Sequence, residues 1–117
     1  MGAEKRREQR EHLIFYLKIY HGADKEFLGR LGDLSRKGIL LISKDAHTPG
    51  KTIPLSIDIS DLHILSAKKS IECTALVRWS HKDINPDHYL TGFEIIDIAS
   101  QDVEIIEKVV DSIGFAH

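Results

Sequence analysis

The run I-E-C-T-A-L-V-R-W, Ile71 to Trp79, puts Ile71, Cys73, Ala75, Val77 and Trp79 on one side and Glu72, Thr74 and Arg78 on the other. Successive side chains of a β-strand point to opposite faces, so a period of two marks a half-buried strand. The same period recurs on both sides of this run. Upstream, Ile53, Leu55, Ile57 and Ile59 alternate after a loop from Lys44 to Lys51 that holds Asp45, Pro49 and Gly50. Downstream, a turn at Asn85 and Pro86 leads to a strand from His88 to Asp97, with Tyr89, Phe93 and Ile95 on one side. Nearer the N-terminus, Leu13, Phe15, Leu17 and Ile19 alternate with His12, Tyr16, Lys18 and Tyr20, and Gly22 and Asp24 make a turn. Lys25 to Leu34 then reads as a strand with Phe27 and Leu31 on one face and Gly29 and Gly32 in its interior, and the apolar run Ile39 to Ile42 as the next.

Six short strands divided by turns predict an all-β dominated fold, a six-stranded antiparallel β-barrel, because closure buries one face and removes the strand edges. The tail changes period: Val103, Ile106, Val110 and Ile113 recur at three- and four-residue steps, the stripe of an amphipathic helix. Ser100 is its candidate N-cap, Asp102 and Glu104 lie in the first turn, and Gly114 is the stop. The predicted organisation is a flexible arm over 1–11, a barrel over 12–99 and a C-terminal helix over 100–114 that packs on the barrel's side or mouth.

With 117 residues the chain is sized for one domain and one core. Its 42% hydrophobic and 29% charged residues describe a globular protein. A formal net charge of -2 speaks against general binding of duplex nucleic acid, which needs many neutralised phosphates. The lone Cys73 excludes an internal disulfide and a zinc-finger framework. No apolar run approaches the roughly 20 residues of a membrane span, so the expected location is the cytoplasm. The 7 histidines show no close pairing on a predicted face, and no metal is expected. No nucleophile-base pair, paired carboxylates or phosphate loop stands out, so enzyme activity is not expected.

Two segments at strand ends carry the chemistry: R-R-E-Q-R at Arg6 to Arg10, and D-L-S-R-K-G at Asp33 to Gly38. Taken singly, the first reads as a solvated arm among Glu4, Glu8 and Glu11, and the second as an Asx- or Ser-type turn. In this order, before the first strand and between the second and third, they resemble the R-x-x-x-R and D/N-x-S-x-x-G signatures of the PilZ family. Val77 with Trp79, and Gly92 with Phe93, resemble its late strands.

The resemblance implies a PilZ-like split barrel, of the stand-alone single-domain type, that binds cyclic di-GMP and needs no cofactor. Arg6, Arg10, Asp33, Ser35 and Gly38 would contact the ligand, with Lys5, Arg7 and Arg36 as auxiliary charges. The chemistry suits a compact dianion with two guanine rings, since the guanidinium fork bonds phosphate oxygens or guanine O6 and N7 and also stacks. The implied function is that of a bacterial receptor whose N-terminal arm, ordered by the ligand, signals to a protein partner controlling motility, exopolysaccharide or biofilm. A nucleotide-independent interaction adaptor of the same fold is the alternative. Single-stranded nucleic acid, with Tyr16 and Tyr20 stacking, is disfavoured by the charge balance.

Overall fold

Each alternating segment finds two antiparallel neighbours, and the sheet closes on itself. In the computed structural model, which describes residues 17–64 and 66–113, the strands are β1 (Lys18–His21), β2 (Phe27–Leu34), β3 (Gly38–Ser43), β4 (Thr52–Asp58), β5 (Ser70–Lys82) and β6 (Tyr89–Ile98). The helix α1 (Ser100–Ile113) follows. Around the barrel the order is β1-β2-β3-β6-β5-β4. Closure rests on the shortest strand, because Ile19 of β1 pairs with Gly29 of β2 on one side and with Ile57 of β4 on the other. The predicted first strand began at His12; its residues up to Tyr16 lie outside the described ones.

The inward positions form the core. Ile19, Leu31, Leu41, Ile57, Ile71 and Ala75 have no exposed surface, and Leu55, Val77, Phe93 and Cys73 join them. Burying each large aliphatic side chain contributes about 1.5–3 kcal/mol. The helix closes the side against β5, burying Ile105, Ile106 and Val109.

Four bulges depart from strict alternation, and three of them decide which side chains leave the core. Between Leu31 and Asp33 the register on β3 slips by one, from Leu31↔Leu41 to Asp33↔Leu40. Gly32 is the extra residue, so Leu31 and Leu34 both point inward and Asp33 is exposed. A second slip separates Val77↔Phe93 from Trp79↔Gly92. Trp79 therefore does not share the buried face expected for it, and is 41% exposed. Ser80 turns inward in its place, bonded to Thr91 Oγ1 at 2.9 Å. A third slip, from Ile19↔Gly29 to Tyr20↔Phe27, turns Phe27 outward, away from the face of Leu31 on which it was predicted.

The helix stripe also differs from the expected one. Asp102, Ile105, Ile106 and Val109 are buried, with Val103 and Val110 on its flanks. The reason is electrostatic. The Asp102 carboxylate accepts hydrogen bonds from Lys68 Nζ at 2.7 Å and from the Glu72 backbone N–H at 2.9 Å, which pins the first turn to β5. Ala99, not Ser100, holds the cap position, since its carbonyl accepts from the N–H groups of Asp102 and Val103. Gly114, the predicted stop, lies outside the described residues.

Candidate functional site

The link between β2 and β3 is a two-residue turn over Arg36 and Lys37, and serine chemistry builds it. The Ser35 N–H donates to the Gly38 carbonyl at 3.0 Å, while Ser35 Oγ accepts from the N–H groups of Lys37 at 3.2 Å and Gly38 at 3.1 Å. The hydroxyl proton of Ser35 remains available to donate outward. The Lys37 carbonyl accepts from the Ile95 N–H at 2.8 Å, which ties the turn to β6. A short side chain that bonds its own backbone is what such a turn needs, so Ser35 has a structural role whatever else it contacts.

Asp33 sits at the mouth of this turn. Its Oδ1 accepts from the Leu34 N–H at 2.8 Å, which holds the carboxylate in place on a residue that is itself exposed. Gly38 is not in the left-handed region; its part is close approach, since a Cβ there would stand 3.0 Å from the Phe93 carbonyl oxygen. Arg36 projects from the turn towards α1, with Nη1 3.7 Å from Glu107 Oε2 and both groups well exposed. Asp33, Ser35, Arg36 and Gly38 are thus together on one outward surface. Arg6 and Arg10, with Lys5 and Arg7, lie outside the described residues.

The same surface continues across β6 to a residue the sequence placed in the core. Gly38 pairs with Glu94, Leu40 with Gly92, and Gly92 with Trp79. Strand spacing puts Trp79 about 10 Å sideways and about 7 Å along from Gly38. The indole lies flat over Gly92, where a Cβ would overlap Cε2, Nε1 and Cζ2 of the ring. His81 stacks against the ring, with centroids 4.7 Å apart and planes inclined by 14°. Arg78, the extra residue of the bulge, is exposed beside it and pairs with Glu94 at 3.4 Å. A bare glycine opposite a tryptophan, G and W on neighbouring strands, is the signal that could have found this platform.

A family model of the PilZ domain matches residues 4–112. The chain belongs to the PilZ domain family. Two solved structures share the fold of this PilZ domain. One is the Bacillus subtilis inhibitor of motility (MotI/DgrA), with a TM-score of 0.65 and 20% identity over 85% of this chain and 46% of that one. The other is the Borreliella burgdorferi PlzA protein in complex with c-di-GMP, with a TM-score of 0.54 and 14% identity over 94% of this chain and 50% of that one. The PilZ domain described here thus spans about half the length of either protein. No curated protein matches it.

The rest of the PilZ domain's reactive chemistry is muted. Burial, with the nearby charges of Asp102 and Glu72, pushes the Cys73 thiol up to about 12, so it stays protonated and unreactive at neutral pH. Burial also pushes Glu72 up, but hydrogen bonds from Ser56 and Ser70 and the charges of Lys25 and Lys68 outweigh it and leave the carboxyl below its ordinary value. Among the described residues, no three His, Cys, Asp or Glu side chains gather as metal ligands.

Proposed function

We propose that this PilZ domain is a receptor for cyclic di-GMP that relays binding to a protein partner through ordering of its N-terminal arm. The observation that carries the reading is the bulge at Gly32, which turns Asp33 out of the barrel beside the Ser35 turn. Asp33 accepts hydrogen bonds from a guanine edge, the free hydroxyl proton of Ser35 donates to the ligand, and Gly38 lets the ligand approach the backbone. The exposed aromatic stack of Trp79 and His81 gives a guanine ring a surface to rest against. Arg6 and Arg10 supply the charge that a dianion needs. Arg10 precedes Leu17 by seven residues, a stretch that reaches up to about 24 Å when extended, enough to bring it over the turn. Family membership and the likeness to PlzA, itself solved with c-di-GMP, support the ligand; the likeness to an inhibitor of motility supports a regulatory output.

Isothermal titration of the full chain with cyclic di-GMP tests this. Binding is expected, and Arg10→Ala or Asp33→Ala should each weaken it about tenfold to a hundredfold, the scale of one lost charge-assisted hydrogen bond. No heat at near-millimolar ligand overturns the reading. A partner complex indifferent to cyclic di-GMP would instead establish the adaptor.

A further inference from the structure

At the end of the β2–β3 hairpin remote from the Ser35 turn lies a cleft of about 400 Å³. Its floor at Gly29 is bare backbone, for a Cβ there would overlap the Ile42 carbonyl oxygen. Arg30, Lys44 and His88 line it together with Asp45. Arg30 and Lys44 are exposed, and neither has a carboxylate partner among the described residues. Phe27 forms the lip. The residue is 50% exposed, yet its ring packs edge against face with Tyr20 at 5.7 Å and 68°.

A rigid aromatic next to an unpaired arginine is the composition of a protein-binding hot spot. The local excess of cations, in a chain whose net charge is -2, sets the complementary charge of the occupant. A cleft of this size takes one or two side chains, and a simple anion would leave Phe27 unused. We propose that it docks an acidic peptide segment of a protein partner, with carboxylates between Arg30 and Lys44 and an apolar side chain on Phe27. Ser43, at the cleft, pairs with Tyr89, whereas Gly38 pairs with Glu94. Five residues of strand thus put the cleft about 17 Å from the turn, so peptide and nucleotide do not compete.

The probe is an acetylated, amidated pentapeptide of alternating glutamate and leucine, titrated at low salt into the nitrogen-15-labelled full chain. Amide shifts are expected at residues 27–30, 42–45 and 88, and added salt should weaken the binding. The double variant Arg30→Glu, Lys44→Glu should weaken it about tenfold or more. Shifts elsewhere, no shifts at millimolar peptide, equal binding of a lysine and leucine peptide, or tighter binding of a nucleoside monophosphate in the cleft would each overturn the proposal. Should the double variant fail to fold, the salt series and the basic peptide decide on the native chain. Cyclic di-GMP titrated into the folded double variant should bind as before, which separates failure here from failure of the nucleotide reading.

Discussion

Replacing Trp79 by alanine removes a stacking platform without opening the core. Trp79 is 41% exposed and its ring lies against Gly92 and His81 on the outer surface, so stability should fall by only a fraction of the 3–5 kcal/mol that a fully buried aromatic costs when truncated. Binding has more to lose. A base stacked on an aromatic contributes about 1–3 kcal/mol, or about 5- to 150-fold in Kd. Trp79→Phe, which keeps an aromatic face, should recover most of it. Because the chain holds 1 tryptophan, its fluorescence reports on this ring alone. Cyclic di-GMP should change that emission saturably, with the midpoint matching the calorimetric Kd. Emission unmoved by saturating ligand, or a Trp79→Ala variant that binds as the native chain does, would show that the guanine is seated elsewhere.

Gly92→Val should displace the indole that lies over this position and weaken nucleotide binding as Trp79→Ala does, read by the same titration. Asp102→Ala leaves Lys68 and the Glu72 N–H without their acceptor and should cost about 2–4 kcal/mol in urea unfolding, with α1 losing amide protection first. His47 gives a pH signature. Burial lowers it from 6.5, with Asp45 partly opposing, so the unfolded chain binds the proton more readily than the folded one. Its contribution is complete above the unfolded value and is lost as pH falls through about 6.5 towards the lower folded value. Urea midpoints should therefore drop on acidification in that window, and His47→Gln should flatten the dependence; an unchanged slope in the variant would exclude His47 as its source.

The barrel was legible because Ile53 to Ile59 and Ile71 to Val77 keep the strand period without interruption. The turn from Asp33 to Gly38 was legible because its residue types are those that bond their own backbone. The bulges were not. An extra residue changes neither composition nor the run of apolar side chains; it only inverts their phase, which is why Trp79 and Phe27 were placed on the buried side. The helix stripe was misplaced for another reason, since a buried Asp102 is intelligible only with Lys68 and Glu72, which lie some 30 positions away in the chain.

The extra residue at Gly32 has a consequence for how this surface can change over time. It lets Leu31 and Leu34 answer to the interior and Asp33 to the exterior within four consecutive positions. Substitutions on the outer side then bear on recognition and those on the inner side on folding, with little exchange between the two. A domain wired in this way can lose or alter its ligand while keeping its barrel, and mutation can explore the rim at small cost to the fold that presents it.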